Sequence, residues 1–202
     1  MITALFGGSF DPVHKGHVNA VRSLINAFPD IERVIIMPAY VNPFKAKGRP
    51  PAEGKHRMNM CRLAFRDITQ CVVSDHEIKA EGLSYTADTL EYLKTQYPHD
   101  RLFLTVGSDS LESLPRWNRF ETIISIAEIA AVSRSAEDKE RINVLSEPVI
   151  HAGGKVHIIK TDPFEISSTE IREKIINNKD ITCYMDENVV KYIMQNNVYG
   201  NR

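Results

Sequence analysis

The segment GGSFDPVHKGH, residues 7 to 17, concentrates glycines, an aspartate and two histidines in one short stretch. His14 and His17 are spaced i, i+3, so both rings can face the same side of a helical first turn. Such a pair can ligate a metal ion as neutral imidazoles or donate hydrogen bonds to a phosphoryl group. A metal site needs further ligands, and Asp11 is the only candidate within the segment. A third alternative is a plain turn, with a capping aspartate and two surface histidines.

A second segment with polar and charged side chains at helical spacing is ISSTEIR, residues 166 to 172. Ser167 or Ser168 can cap the helix that follows, with Glu170 in its first turn as in a capping box. Arg172 lies one turn further on and carries a fixed positive charge. Taken alone, the segment is typical of an ordinary helix start.

Six apolar runs predict strands, and helical patterns alternate with them. Nearly continuous apolar strands are typical of parallel sheets covered on both faces. The order predicts an α/β fold with a doubly wound, mostly parallel sheet and C-terminal helices over about 167–202. We expect a single domain over 1–202, because domains of this length are common. The predicted strands are 2–6, 33–38, 71–74, 102–106, 129–133 and 155–160, and the predicted helices before 167 are 15–28, 55–67, 86–96, 109–114, 119–126 and 136–146.

This fold class predicts where a ligand binds. In a doubly wound sheet, ligands lie beyond the carboxyl ends of the strands, where adjacent connections run to opposite faces. Residues 7 to 17 follow the first predicted strand, and Gly7, Gly8 and Gly16 allow the backbone to approach a ligand closely. The start of the next helix offers unpaired N–H groups and a positive dipole end. The position favours a phosphate site over the other two alternatives.

Charge and composition argue against several classes of protein. Lysine and arginine number 25 against 26 acidic residues, a formal net charge of -1, which argues against nonspecific nucleic-acid binding. The cysteines, Cys61, Cys71 and Cys183, are odd in number and form no CxxC, which argues against a disulfide scaffold or a structural zinc site. No apolar run approaches the ~20 residues of a membrane span, and the first residues resemble no signal peptide. We expect a cytoplasmic protein with no membrane or nucleic-acid partner, and the sequence leaves a homo-oligomer open.

Residues 7 to 17 resemble the GxFxPxHxGH signature of the nucleotidyltransferase superfamily, and ISSTEIR resembles its second signature, ISSTxIR. Two separated motifs in the right order are more specific than one glycine-rich motif. The resemblance implies a Rossmann-like fold and direct displacement at the α-phosphorus of a nucleoside triphosphate. It implies catalytic roles for His14, His17 and Arg172, with His17 at the reacting phosphate. The further implied ATP contacts are Gly7, Gly8, Ser9, Phe10, Gly16, Gly107, Asp109, Arg134, Ile166, Ser167, Ser168 and Thr169.

Three central segments, SYTADTL at 84–90, GSDSLESLPRW at 107–117 and VSR at 132–134, narrow the resemblance. They are similar to segments of the bacterial nicotinate mononucleotide adenylyltransferases, and the likeness spans almost the whole chain. It implies that Trp117, the single tryptophan, stacks on a pyridine ring and that Thr86 binds the nicotinate carboxylate. A partial core cover by Trp117 stays open as the alternative. The implied acceptor-binding residues are Ser9, Lys45, Tyr85, Thr86, Leu114 and Trp117.

The long stretch 38–54, rich in proline, glycine and lysine, is predicted to be functional or mobile. It departs from the family's pattern, since relatives often have P-P-H-[KR] where this chain has residues 42–45, NPFK. An asparagine is frequent in relatives where this chain has Ala39. Phe44 and Ala39 each remove one hydrogen-bonding side chain, so acceptor contacts from this loop stay open.

The resemblance implies transfer of AMP from ATP to nicotinate mononucleotide, giving nicotinate adenine dinucleotide and pyrophosphate. ATP and a pyridine mononucleotide are the expected partners, and Mg²⁺ is expected to arrive with ATP, without protein ligands. One alternative is a phosphopantetheine adenylyltransferase, which shares the first motif but has no use for the SYT and Trp117 segments. Another is a non-catalytic nucleotide-binding protein, which has no need for this convergence of donors on the phosphates.

Overall fold

The computed structural model describes residues 1–45, 48–133, 136–162, 164 and 166–200, with backbone only at Lys45, Ala136 and Glu137. Within them, six strands form one sheet in the order β3-β2-β1-β4-β5-β6, and every strand pair is parallel. Leu5 pairs with Ile35 on one side and with Leu104 on the other. The strands are β1 Ile2–Gly8, β2 Ile31–Pro38, β3 Cys71–Val73, β4 Arg101–Gly107, β5 Ala127–Ser133 and β6 Val156–Lys160.

Helices connect the strands and follow the last one. All six predicted strands are confirmed, and all pairs are parallel rather than most of them. The short helix α3 was not predicted, and α7 continues to His151, past the expected end at 146 and through Pro148. The helices are α1 Lys15–Ala27, α2 Gly54–Phe65, α3 His76–Ala80, α4 Thr86–Gln96, α5 Ser108–Ser113, α6 Phe120–Ile126, α7 Ala136–His151, α8 Ser168–Ile176 and α9 Glu187–Gln195, with 3-10 turns at Pro43–Lys45 and Leu114–Arg116.

The sheet has an apolar core on each face, because successive side chains of a strand point to opposite sides. Ala4 and Phe6 of β1 lie in a cluster with buried residues of α1, α2, α8 and α9. Leu5 lies in the other cluster, with buried residues of α4, α5, α6 and α7. No helix in the described part of the chain is long and apolar enough to cross a membrane.

The sheet order places the reversal of winding between β1 and β4. The chain leaves β1 into α1, which packs on one face through Val21, and leaves β4 into α5, which packs on the other through Leu111. The carboxyl ends of these neighbouring strands, Gly8 and Gly107, therefore border a crevice of the kind that binds ligands in doubly wound folds.

Candidate active site

The turn between β1 and α1 packs against the ring of His17. Phe10 has a positive φ of 46° and is only 2% exposed. Its ring meets Phe6 edge-on at 5.6 Å and His17 edge-on at 5.1 Å, measured between centroids. The Phe10 ring therefore packs against the imidazole of His17, and because this side chain is buried, the ATP contact predicted for Phe10 would be made by its backbone.

His14 and His17 lie against one another, with ring centroids 3.8 Å apart. His14 is the N-cap residue of α1 and is buried. Its backbone N–H donates to Nδ1 of His17 over 3.1 Å. A backbone amide can only donate, so Nδ1 of His17 is an acceptor, and a neutral His17 carries its proton on Nε2. Because Nδ1 accepts this hydrogen bond, a neutral His17 can donate only from Nε2.

Gly16 has a further reason to be glycine, in addition to the predicted close approach of a ligand. A Cβ at this position would lie 3.0 Å from His14 Nδ1 and 3.1 Å from the Phe164 ring. Glycine therefore lets the His14 ring lie against the start of α1. The first amide of α1 is also in use, since the Lys15 N–H donates to the Tyr184 carbonyl over 2.9 Å.

The two signature segments are hydrogen-bonded to each other. Arg172 donates from Nη1 to the Asp11 carbonyl over 2.6 Å and from Nη2 to Thr169 Oγ1 over 3.0 Å. The Ser168 hydroxyl donates to the Pro12 carbonyl over 2.8 Å. Ser167 caps α8 and forms the predicted capping box with Glu170. The start of α8 is thereby held beside the histidine turn, as the resemblance implied for these motifs.

Asp11 anchors this junction. Its Oδ1 accepts from the Ala52 amide and from the Tyr199 hydroxyl, each over 2.9 Å, and its Oδ2 lies 3.6 Å from Arg172 Nη1. The Tyr199 hydroxyl is buried beside a carboxylate, and both effects raise its pKa. Across the ranges that the structure describes, no three His, Cys, Asp or Glu side chains are grouped as metal ligands.

Arg57 of α2 holds the loop that faces this turn. Its guanidinium is 2% exposed and donates to the carbonyl groups of Ala52, Ser9 and Ala39 over 2.6 to 2.8 Å. A longer contact reaches the Tyr40 carbonyl at 3.4 Å. Burial lowers the pKa of Arg57, an effect that Asp11 partly offsets. One buried cation therefore fixes the segment after β1 relative to the segment after β2.

A second group of contacts positions the SYT segment. The Ser84 amide donates to the Val41 carbonyl over 2.9 Å, and the Tyr40 amide donates to Ser84 Oγ over 3.0 Å. Glu77 accepts the hydroxyl of Thr89 and is also hydrogen-bonded to Ser84. Burial raises the pKa of Glu77. These bonds hold residues 84–86 at the start of α4 next to the loop after β2.

Between these segments lies a cavity of about 280 Å³ that contains the predicted acceptor residues Tyr85, Thr86 and Trp117. Trp117 is half-buried against the core and donates from Nε1 to Ser113 Oγ over 3.0 Å. The Phe44 ring is 6.2 Å from the Trp117 ring, with the planes inclined at 40°. The full lining is Asn42, Pro43, Phe44, Ser84, Tyr85, Thr86, Arg116, Trp117 and Asn118.

The remaining predicted ligand contacts have side chains that are buried, highly exposed or outside the described residues. Leu114 and Ile166 are core side chains, 0% and 7% exposed, so only their backbone can meet a ligand in this arrangement. The Asp109 side chain is 86% exposed and lies 3.4 Å from Arg141, and Gly107 precedes it as the N-cap of α5. Arg134 and the side chain of Lys45 lie outside the described residues.

Three residues with evident roles at this site were not predicted. Arg57 and Tyr199 carry no local signal, because their partners are far away in sequence. Arg116 lines the same cavity beside Trp117, and within the described residues it forms no ion pair. Its position directly before the single tryptophan is the signal that could have found it.

Comparison with known proteins agrees with this geometry. The cytidylyltransferase-like family model matches residues 5–174. A probable nicotinate-nucleotide adenylyltransferase from Clostridium botulinum is 35% identical, covering 97% of this chain and 98% of the relative. A protein with the same name from Hydrogenobaculum is 34% identical, with 98% and 97% covered.

Solved structures share the fold. A Plasmodium falciparum nicotinic acid mononucleotide adenylyltransferase complexed with NaAD superposes with a TM-score of 0.80 at 21% identity, covering 98% of this chain and 97% of that one. The same enzyme complexed with APC gives a TM-score of 0.77 at 20% identity, with 98% and 96% covered. The sheet is therefore Rossmann-like. With near-complete coverage by bacterial relatives, the chain belongs to the cytidylyltransferase-like family and, within it, to the nicotinate-nucleotide adenylyltransferases.

Proposed function

We propose that this chain transfers the adenylyl group of MgATP to nicotinate mononucleotide, giving nicotinate adenine dinucleotide and pyrophosphate. The observation that carries the proposal is the hydrogen-bonded junction of Arg172 and Ser168 with residues 11–12, directly before His14 and His17. It gathers an imidazole, a guanidinium and a helix start at the carboxyl edge of the sheet. The names of the two bacterial relatives support the same reaction.

The proposed reaction is a direct displacement at the α-phosphorus of ATP. A phosphate oxygen of nicotinate mononucleotide forms a bond to the α-phosphorus of ATP, and the bond from that phosphorus to the α,β-bridging oxygen breaks. The electron pair of the broken bond leaves with pyrophosphate. A phosphate monoester has a second pKa of about 6, so the attacking oxygen is largely ionised at neutral pH and needs no general base.

The protein is then required to position the reactants and to stabilise charge. The Nε2–H of His17 is the proposed donor to the α-phosphate, because its Nδ1 already accepts the His14 amide. Arg172, fixed by the Asp11 carbonyl and Thr169, supplies the positive charge nearest the start of α8. Both groups act without giving up a proton.

The other triphosphate contacts are proposed through backbone groups. The Ser168 hydroxyl already donates to Pro12, so its contact with a phosphate comes from the amides of Ser168 and Thr169 at the start of α8. Gly7, Gly8 and Ser9 line the approach at the end of β1. The ribose and adenine contacts of Asp109 and Arg134 stay proposals from the family resemblance.

Magnesium enters as part of the substrate MgATP. The donor set at the junction consists of N–H groups and a guanidinium, and the oxygens of Asp11 accept from Ala52 and Tyr199. Triphosphate oxygens and water are the preferred ligands of Mg²⁺ in such sites. The bound ion would neutralise charge on the leaving pyrophosphate.

The acceptor cavity suits an anionic pyridine. Its described lining contains one cation, Arg116, and no carboxylate. Thr86 is the first residue of the eleven-residue helix α4, whose starting amides and dipole favour a negative group. A nicotinate carboxylate gains from both features, whereas a neutral carboxamide gains less.

The experiment is to incubate the purified chain with MgATP and nicotinate mononucleotide and to quantify pyrophosphate and dinucleotide. We expect the two products in a 1:1 ratio, since one displacement forms both. Pyrophosphate without dinucleotide, or neither product, would contradict the proposal.

A further inference from the structure

Phe44, one of the two departures from the family's pattern noted in the stretch 38–54, lines the proposed acceptor cavity. Its side chain is 60% exposed, which is unusual for a phenylalanine. The Phe44 and Trp117 rings both line this cavity, with their centroids 6.2 Å apart. Two apolar aromatic faces therefore border the space that receives the acceptor.

We infer that Phe44 and Trp117 form a two-sided aromatic clamp on the pyridine ring of the acceptor; this inference rests on the proposed function. A ring stacked between two others needs about 7 Å between the outer planes, since each carbon contact is about 3.5 Å. The present separation is 6.2 Å with the planes inclined at 40°. To admit the pyridine, the Phe44 ring has to move outward and become parallel to the Trp117 ring.

The two walls differ in how firmly they are held. Trp117 is fixed by the bond from Nε1 to Ser113 and by its amide, which donates to the Leu114 carbonyl over 3.0 Å. The Phe44 backbone is held by Asn42, whose Oδ1 accepts its amide over 2.9 Å, while its ring stays largely in solvent. The Trp117 ring is therefore held more firmly than the Phe44 ring.

The contacts of Val41 keep the loop that carries Phe44 at the cavity. Val41 pairs with Leu83 in a parallel bridge, and the Ser84 amide donates to the Val41 carbonyl. The loop that carries Phe44 is therefore joined to the SYT segment, which contributes another side of the same cavity. The clamp requires the Phe44 ring to move relative to this base.

The test compares Phe44→Leu, which keeps an apolar side chain but removes the ring, with Phe44→Tyr, which keeps the ring. For Phe44→Leu we expect KM and Kd for nicotinate mononucleotide to rise about 2- to 12-fold, the range for one aromatic pair. We expect Phe44→Tyr to stay within about 2-fold of the parent protein. KM for MgATP should be unchanged in both variants. Trp117, the single tryptophan, reports acceptor binding by its fluorescence.

A ligand without the ring separates stacking from other effects. Inhibition by ribose 5-phosphate should be equal in the parent protein and in Phe44→Leu, because this sugar phosphate has nothing to stack. Equal KM and Kd values for nicotinate mononucleotide in Phe44→Leu and the parent protein would overturn the clamp. Tighter binding in Phe44→Leu would also overturn it, because Phe44 would then only cover the cavity.

The clamp and the reaction fail in different ways. If the parent protein forms dinucleotide and Phe44→Leu does so with an unchanged KM, only the clamp is wrong. If the parent protein neither binds nor converts nicotinate mononucleotide, the proposed function and the clamp fall together. Equal melting temperatures of the variants show that the exposed substitution leaves the fold intact.

Discussion

At the scale of single residues, one hydrogen bond decides what His17 can do. The His14 amide donates to Nδ1 of His17, so a neutral His17 ring carries its proton on Nε2, and this N–H is the proposed donor to the α-phosphate. Phe10 supports the ring from below, and the ring of His14 lies beside it. The histidine pair acts in the proposed mechanism as a fixed hydrogen-bond donor, which is the role that electrostatic stabilisation of a transition state needs.

His17→Ala should therefore lower kcat about 10²- to 10³-fold, the usual cost of removing one donor to developing charge. KM for MgATP should change by less than about 3-fold, because the contact strengthens in the transition state. Steady-state kinetics with saturating acceptor measure both constants. A loss of ATP binding as large as the loss of turnover would contradict this role.

Glu77 gives a prediction about pH and stability. Burial raises its pKa in the folded protein above the ordinary value, so the folded state binds its proton more tightly than the unfolded state. Its stabilisation is present below the unfolded pKa and is lost as pH rises through the folded one. Glu77→Gln keeps an accepting oxygen and does not titrate.

The free energy of unfolding of the parent protein minus that of Glu77→Gln should therefore fall as the pH rises above about 4.3, the ordinary pKa of a glutamate. Urea unfolding at several pH values measures this difference. A difference that rises with pH would show that the carboxylate is stabilised by its partners more than it is destabilised by burial.

At the scale of elements, the C-terminal segment is part of the site rather than an appendage to it. Tyr199 reaches across to Asp11, and Arg172 of α8 donates to the carbonyl of the same aspartate. α9 packs on α2, where the Tyr192 hydroxyl contacts Asn59 at 3.0 Å. The segment after β6 therefore braces both the turn after β1 and the helix that carries Arg57.

Tyr199→Phe should lower the free energy of unfolding by about 1.5–3 kcal/mol, because a buried carboxylate loses a donor. It should also lower kcat, since Asp11 then holds Arg172 less rigidly. Tyr192→Phe is the matched control, as it removes a tyrosine hydroxyl from the α9–α2 interface. We expect it to cost about 1 kcal/mol without changing kcat. Equal effects of the two variants on kcat would contradict a positioning role for Tyr199.

Periodicity made most of the elements predictable, because strands buried on both faces are nearly continuous apolar runs. The short α3 has too few residues to show a helical period, and it was missed. The brace was not predictable either, since Tyr199 and Asp11 are 188 positions apart. The motifs predict which residues meet the triphosphate, and this stays a prediction, whereas the buried contacts that hold these motifs follow only from the tertiary fold.

At the scale of the whole molecule, the sheet order brings the ends of β1 and β4 together and puts the proposed phosphate and acceptor sites on one edge. Gly8 ends β1 and Gly107 ends β4, so the chain departs to opposite faces at neighbouring positions. Binding a triphosphate there ties residues 7–17 to α8, which come from opposite ends of the chain. Ligand binding should therefore stabilise the whole fold.

MgATP at about 100 times its Kd should add about 2.7 kcal/mol to the free energy of unfolding. For a chain of this length the melting temperature should rise by about 5–11 °C. Adenosine at the same concentration should raise it much less, because it lacks the phosphates. Equal shifts with MgATP and adenosine in a thermal melt would place the binding energy outside the histidine turn.

The central claim is that nicotinate mononucleotide is the acceptor. A comparison of three acceptors with MgATP tests this claim most directly. The measurement is kcat/KM for nicotinate mononucleotide, nicotinamide mononucleotide and phosphopantetheine, with pyrophosphate release as the readout. The cavity with Arg116, Thr86 and Trp117 predicts the highest value for nicotinate mononucleotide, a lower value for the neutral amide and no turnover of phosphopantetheine. Faster turnover of phosphopantetheine, or binding of MgATP without turnover of any acceptor, would contradict the account.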